Sequence, residues 1–326
     1  MTATTSVIIT TKNRRDELRR AVKSAVEQLG GTEVLVFDDG SSDGTSEMVR
    51  HEFPTVRVAR VEQSLGIVNA RNRAIQEATG EIVFTIDDDC EFSSPDTILR
   101  TLDDFNAPHI GAVAIPYINV YKSPPLTPRP MAGFPPHVVS EFSGGSNAIR
   151  RDLFQAIGGY RSAIWRQGEE YDLCTRLLSH GWVIRAGTAT PIRHFESTYR
   201  NRASIHFHKV RSHVLYAWWN VPDAYLAVHM PGTIAKTLLD AARHGYFLSG
   251  LAGLRAAVST IFTTGGRKPV SKHTYKLMRQ LRKRVTSPLS EILPVLPHSD
   301  LALIGMIALH ETLSENHAST PHLVRK

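Results

Sequence analysis

A chain of 326 residues, 42% hydrophobic and 21% charged, has the composition of an ordinary globular protein and room for one large domain or a domain with an appendage. Its two cysteines, Cys90 and Cys174, exclude a disulfide framework and favour a reducing, cytoplasmic compartment; no signal segment is expected from the short polar start at 1–5. The net charge of +7 is unevenly placed, with eight Lys or Arg and no Asp or Glu from Arg267 to Thr286, a run that suits lipid, phosphate or nucleic acid and equally a solvated helix face.

The first half alternates two hydrophobic periods. Residues 6–10 (SVIIT) form a β-branched run suited to a buried parallel strand. Leu18, Ala21, Val22, Ala25, Val26 and Leu29 then follow helical spacing, stopped by Gly30-Gly31. A strand over 34–37 ends at Asp38-Asp39-Gly40, a helix starts near Thr45, and a short strand is expected at 56–58. A helix over 66–78 is capped by Gly80, and a buried strand at 82–86 runs directly into Asp87-Asp88-Asp89. Strand–helix alternation predicts a parallel sheet with covered faces, and functional groups gather at the carboxyl ends of such strands.

After a strand at 113–115 the texture changes. Residues 117–137 hold six prolines, and a loop of this length is either disordered or a functional lid. Helices follow over 151–157, ending in Gly158-Gly159, and over 169–179, ending at Gly181, with a strand at 183–186. Beyond about residue 200 the pattern is mostly helical, with apolar stretches at 214–219, 234–242 and 301–309. No run of eighteen apolar residues occurs; the best stretch, 246–262, is broken by Arg255 and small polar residues, so no membrane-spanning helix is expected.

Asp87, Asp88 and Asp89 are the sharpest chemical signal. Carboxylates packed this closely at a buried strand end do not all stay ionised unaided, and a divalent cation resolves the conflict while holding a diphosphate. A solvated acidic turn is the alternative, but the apolar strand before the triplet favours metal. Asp38-Asp39-Gly40-Ser41-Ser42-Asp43-Gly44-Thr45 offers acceptors for a nucleobase or ribose and is also ordinary turn chemistry. Arg71 and Arg73 lie near a helix start, where Arg71 suits a diphosphate fork or a surface ion pair. Glu169, Glu170 and Asp172 sit in the first turn of a helix, which stabilises acids in any case; as a positioned base, Glu170 would take a proton from an acceptor hydroxyl. His194 becomes a reasonable metal ligand beside an acidic site, whereas His206, His208 and His213 look like background.

These segments resemble a known family. SVIITTKNR at 6–14, FDDGSSDGT at 37–45, GIVNARNRAI at 66–75, Gly80-Glu81 before the triple Asp, GGSNAIRR at 144–151, GGYR at 158–161 and GEEYDLCTRL at 168–177 are similar, in order and spacing, to the family 2 glycosyltransferases. The resemblance covers about residues 6–194 and implies a GT-A fold: an α/β, Rossmann-like, mostly parallel central sheet flanked by helices. It divides the chain into a nucleotide-sugar-binding and catalytic domain over 1–200 and a basic helical extension over 201–326. Carried over by position, Asp39 would contact the base, with Thr11, Arg14 and Arg71 near the nucleotide. Asp87 and Asp88 would face ribose or sugar, Asp89 would bind Mn2+ or Mg2+, and His194 would join the metal or phosphate. Gly144, Gly145 and Ser146 would border the sugar, Glu169 would hold a hydroxyl, and Glu170 would be the base of an inverting displacement. The family usually has Asp at that last position, one methylene shorter. Metal and Arg71 would stabilise the departing diphosphate, and Trp165 and the proline-rich segment would line the acceptor side.

The implied partners are a nucleotide-diphosphate sugar, UDP- or dTDP-linked because Asp39 suits a uracil or thymine imide, and a glycan, lipid-linked or small-molecule acceptor. Sugar nucleotidyltransferases and dinucleotide oxidoreductases are disfavoured, since no Gly-rich phosphate loop follows the first strand. A non-catalytic protein that keeps the nucleotide pocket stays open on the Glu170 departure. Nucleic acid is not expected, because Tyr275 alone interleaves the basic run. Peripheral membrane contact through 267–286, a homodimer and closure over the site are the roles left for the tail.

Overall fold

The computed structural model describes residues 3–122, 135–196, 201–264 and 266–298. The proposed lid at 117–137 is therefore described only at its two ends, and the apolar stretch 301–309 lies outside the described residues.

The strands are β1 (Thr5–Thr11), β2 (Glu33–Asp38), β3 (Arg57–Arg60), β4 (Ile82–Asp87), β5 (Cys90–Glu91), β6 (Ile110–Ala114), β7 (Tyr117–Asn119), β8 (His137–Val139), β9 (Ser146–Arg150), β10 (Val183–Ala186), β11 (Ile192–His194) and β12 (Ser287–Pro288). The principal helices are α1 (Arg15–Val26), α2 (Thr45–Glu52), α3 (Ile67–Glu77), α4 (Thr97–Asp103), α5 (Arg151–Ala156), α6 (Glu169–Ser179), α7 (Arg202–Asn220), α8 (Asp223–Arg243), α9 (Phe247–Thr264) and α10 (Lys272–Lys283).

Among the described residues nine strands form one sheet in the order β12-β8-β10-β6-β9-β4-β1-β2-β3. Neighbours are parallel across β3-β2-β1-β4 and β6-β10, and antiparallel where β9 and β8 insert. Register sets the functional edge. Thr11 lies opposite Asp38 and Thr10 opposite Asp87, so β1, β2 and β4 deliver their carboxyl ends side by side. β9 runs back between β4 and β6 with Ser146 opposite Ile86, which brings the preceding Gly144-Gly145 to the same edge. A second sheet, β5-β11-β7, pairs His194 with Cys90 and so carries a distant histidine to the aspartate triplet.

The sheet core follows from the β-branched runs. Val7, Ile8, Ile9, Leu35, Val36, Val83, Phe84 and Ile86 are at most 0% exposed, and each such side chain contributes about 1.5–3 kcal/mol by burial. The C-terminal region divides. α7, α8 and α9 build a smaller core around Val214, Leu215, Trp219 and Ala257. α10 instead returns to the first core through Leu277, Met278 and Leu281, and β12 extends the main sheet at β8. Residues past 200 are thus partly structural members of the sheet domain, where a separate extension was expected.

α9 also differs from expectation. Its 18 residues have a mean hydropathy of 1.2, so by length and composition this helix can cross a membrane, although only 17% of it is buried. Arg255 is its single charge, and the Gly, Ser and Thr that break the apolar run cost a helix little in lipid.

Candidate active site

A cleft of about 540 Å³ opens at the carboxyl ends of β1, β2 and β4. Thr11, Arg14, Asp39, Arg71, Asp87, Asp88, Asp89, Glu169, Glu170 and His194 all line it. Gly144, Gly145 and Ser146, expected to border the sugar, do not. Ser146 is buried in β9 with its hydroxyl donating to the Ile115 carbonyl at 2.8 Å, and Gly145 lies behind the Asp87 side chain.

Two of the three aspartates are held from the end of β1 and the loop after it. Asp88 accepts from Arg14 Nη1 at 2.7 Å and from the Thr11 hydroxyl at 2.9 Å, while Arg14 Nη2 donates to Asp89 at 3.1 Å. Burial pushes Asp88 up to about 7 against the pull of Arg14. Burial also acts to raise Asp89, but hydrogen bonding from His194 and the charge of Arg14 outweigh it and hold Asp89 below the ordinary carboxylate range. His194 Nε2 is 3.4 Å from Asp89 Oδ1, and Asp89 in turn raises the His194 pKa above its usual value.

These donors fit a divalent cation. Ligand atoms of Asp89, Cys90 and His194 lie within 4.8 Å of one another, and a carboxylate beside an imidazole is a donor pair that suits Mn2+. Burial drives the Cys90 thiol well above its usual pKa, so Asp89 and His194 are the better ligands. A second cluster outside the cleft, His206, Asp240 and His244, was not anticipated from the sequence; Lys209 already holds Asp240 at 2.9 Å.

The opposite wall is built around Gly144. Its backbone N–H donates to Glu170 Oε1 at 3.2 Å, and a Cβ there would lie 2.5 Å from both Arg71 Nη1 and Glu170 Oε1. A Cβ on Gly145 would fall 2.3 Å from Asp87 Oδ2. Two glycines therefore let Arg71, Asp87 and Glu170 converge on bare backbone. Arg71 is buried, donates through Nη2 to Asp87, and places Nη1 3.5 Å from Glu169. Burial and the neighbouring Glu170 push the Glu169 carboxyl upward. Glu169 and Glu170 open α6 behind Gly168, whose φ of 114° turns the chain sharply into the helix.

Several residues serve this wall indirectly. Asp172 is fully buried and accepts from Arg176 Nε at 2.9 Å and Asn220 Nδ2 at 2.7 Å, facing away from the cleft as its helical offset from Glu170 requires. Arg176 continues to the Ile157 carbonyl at 2.7 Å and the Gly159 carbonyl at 2.5 Å. Asn72 clamps the Tyr160 backbone with bonds of 2.8 and 2.9 Å. Trp165 lines the cleft and packs on Gly66, where a Cβ would meet its ring at 2.7 Å.

Two expected roles shift. Asp39 is 5% exposed and already accepts from Leu65 N and Ser64 Oγ at 2.6 Å and from Gly66 N at 3.1 Å. It orders the 64–66 loop first and has one lone-pair site left for a base. Arg71 is engaged with Asp87 and Glu169, not open to a diphosphate. Lys12 and Arg166, which the sequence did not single out, also line the cleft, and neither pairs with a carboxylate among the described residues. Their only advance signal was adjacency to the Thr-Thr-Lys-Asn-Arg and Trp165 segments.

Residues 6–161 match the model described as glycosyl transferase family 2. The chain is 30% identical over 196 residues to succinoglycan biosynthesis protein ExoU of Rhizobium meliloti (strain 1021), covering 54% of this chain and 57% of that protein. It is 26% identical over 238 residues to N-acetylglucosaminyl-diphospho-decaprenol L-rhamnosyltransferase of Mycobacterium tuberculosis (strain ATCC 25618 / H37Rv), covering 58% and 77%. The chain therefore spans little more than half of the first relative, 57% of its length. Among solved structures, it is similar to mannosyltransferase PcManGT from Pyrobaculum calidifontis in complex with GDP-Man and Mn2+, with TM-score 0.54, 19% identity and coverage of 86% and 85%. Similarity to S. aureus TarS 1–349 in complex with UDP-GlcNAc has TM-score 0.57, 16% identity and coverage of 86% and 87%. The fold shared with these structures is GT-A.

Proposed function

Residues 6–161 belong to glycosyl transferase family 2, and from that premise we propose that the chain is an inverting, metal-dependent glycosyltransferase. It moves a sugar from a nucleotide-diphosphate donor, a UDP- or dTDP-sugar, to an acceptor hydroxyl in the synthesis of a glycan, envelope polysaccharide or glycoconjugate. One observation carries this reading. A carboxylate, Glu170, and an acidic, histidine-flanked triplet line one cleft together with Lys12 and Arg166, two cations without a carboxylate partner among the described residues.

Glu170 takes the acceptor proton as the acceptor oxygen attacks the anomeric carbon. The new carbon–oxygen bond forms on the face opposite the leaving group, and the bond to the diphosphate breaks with its electron pair, so a single displacement inverts the centre. Gly144 N–H holds Glu170 in place through the 3.2 Å hydrogen bond. Lys12 and Arg166 contact the diphosphate, and their charge matters most as negative charge develops on it. Asp89 and His194 would hold a Mn2+ or Mg2+ ion, which when bound supplies further positive charge to the leaving group. Arg71 pairs with Asp87 and lies 3.5 Å from Glu169, so the sugar side of the cleft stays fixed.

A lipid-linked acceptor is supported by the relative named for a decaprenol diphosphate substrate, and the basic run 267–286 supports an action at the cytoplasmic face of a membrane. The test is donor turnover. With Mn2+ present, the full chain hydrolyses or transfers from one nucleotide sugar, and Glu170→Gln slows turnover by about 10²–10⁴-fold while nucleotide binding remains. Binding without turnover of any UDP-, dTDP- or GDP-sugar would instead favour a non-catalytic nucleotide-binding protein of the same fold.

A further inference from the structure

The outer face of the α8–α9 hairpin exposes large apolar side chains, with Arg255 the one charge among them on α9, where a solvated face is normally polar. Val228 is 82% exposed on α8, and Leu248, Leu251, Val258 and Phe262, of which Phe262 is 84% exposed, line α9 at helical spacing. The other side of α9 is committed to the protein. At Gly253 a Cβ would lie 2.2 Å from the Phe207 carbonyl oxygen, so α7 and α9 touch backbone to backbone. A helix pinned lengthwise to its own domain does not cross a bilayer; it lies in the interfacial plane with one face in lipid.

Charge identifies the occupant. From Ala241 to Ser290 there are ten Lys or Arg and no Asp or Glu. Between α8 and α10 a pocket of about 420 Å³ is lined by Tyr225, Tyr275, Lys276, Arg279, Lys283 and Arg284. Arg284 pairs with Glu291 at 3.0 Å, whereas Lys276, Arg279 and Lys283 have no carboxylate partner among the described residues. Tyr225 precedes Val228 by one helical turn, so the cationic pocket opens beside the apolar face. A second copy docking symmetrically on this surface would bring like charges together, which disfavours a homodimer there.

We propose that this surface docks the chain onto an anionic lipid bilayer, with the outer side chains of α8 and α9 entering the headgroup–acyl boundary and the pocket between α8 and α10 receiving a headgroup phosphate. α10 also links this surface to the cleft, since the Arg282 guanidinium lies 3.7 Å above the ring of Tyr171, the neighbour of Glu170. Docking is independent of the chemistry in the cleft, and each can fail without the other.

The experiment is co-sedimentation of the full chain with vesicles of phosphatidylcholine alone and with phosphatidylglycerol added. The wild-type chain should sediment with the anionic vesicles, and combined Lys276→Gln, Arg279→Gln and Lys283→Gln should weaken partitioning roughly 100-fold. Leu248→Ser with Phe262→Ser should weaken it at least about tenfold, with thermal stability and nucleotide binding unchanged because both side chains are exposed. Failure of the wild-type chain to bind anionic vesicles overturns the proposal, as does unchanged binding by either variant. A wild-type dimer in sedimentation velocity that Leu248→Ser with Phe262→Ser disperses also overturns it, because a second copy then covers the face.

Discussion

The sheet region and the helical region handle charge in opposite ways. In the first, buried ions are satisfied internally: Asp38 by Ser41 and Ser46, Asp88 by Thr11 and Arg14, Arg71 by Asp87 and Glu169, Asp172 by Arg176 and Asn220. In the second, the cations Lys276, Arg279 and Lys283 of α10 have no carboxylate partner among the described residues, and large apolar side chains of α8 and α9 are exposed there. The contrast separates two tasks. Internal pairing of this kind fixes cleft geometry before a ligand arrives, which is what electrostatic preorganisation requires. A surface that is apolar and cationic at once suits a partner with an apolar and an anionic part.

The largest expected effect tests the first task. Glu170→Gln should slow sugar transfer by about 10²–10⁴-fold in a steady-state assay while leaving nucleotide affinity nearly unchanged. A parallel loss of affinity would mean that Glu170 supports the pocket instead of acting on the acceptor. Packing gives the cleanest contrast between regions. Phe84→Ala, in the buried sheet, should lose about 3–5 kcal/mol in urea unfolding, whereas Phe262→Ala, 84% exposed on α9, should stay within about 0.5 kcal/mol. Equal losses would mean that Phe262 is packed as tightly as Phe84.

Lys12→Ala sharpens the cation assignment. If Lys12 meets the diphosphate, calorimetry should show nucleotide binding weaker by about 1.5–3 kcal/mol, and Arg71→Lys should instead lower thermal stability through the Asp87 and Glu169 pairings. The smallest effect concerns pH. Glu169 has its folded pKa raised above the ordinary value of 4.5, so the folded state holds the proton more tightly than the unfolded chain. Its contribution to stability is complete below about 4.5 and is lost as pH rises through the folded pKa. Wild-type Tm should therefore fall by a few degrees between mildly acidic and alkaline buffer, and Glu169→Gln should flatten that decline. An unchanged slope would show that Arg71 keeps Glu169 ionised throughout.

Much of the frame was legible because hydrophobic period and punctuation agreed. The helix over 169–179 and the strand over 183–186 fall where the spacing placed them, and the strand before the aspartates ends within one residue of its expected limit. The three-residue strands were not legible, since β7, β8 and β11 are too short to carry a period, and with β11 the path of His194 to Asp89 was hidden. Side-chain partners were hidden for a different reason. Whether Asp39 meets a base or Ser64, and whether Arg71 meets a phosphate or Glu169, depends on which loops the fold folds back, not on local sequence. Ser146 carried a motif, yet strand alternation turns its hydroxyl to Ile115. In α10 the basic residues masked Leu277, Met278 and Leu281, whose helical spacing belongs to the core.

The central proposal is that the cleft binds a nucleotide diphosphate and that Asp89 and His194 would hold Mn2+ there. Titrating UDP, dTDP and GDP into the full chain by calorimetry, first with Mn2+ and then with EDTA, tests it most directly. The account predicts micromolar binding of one nucleotide that requires Mn2+ and is lost in Asp89→Asn. Absence of binding by all three nucleotides under both conditions would contradict it.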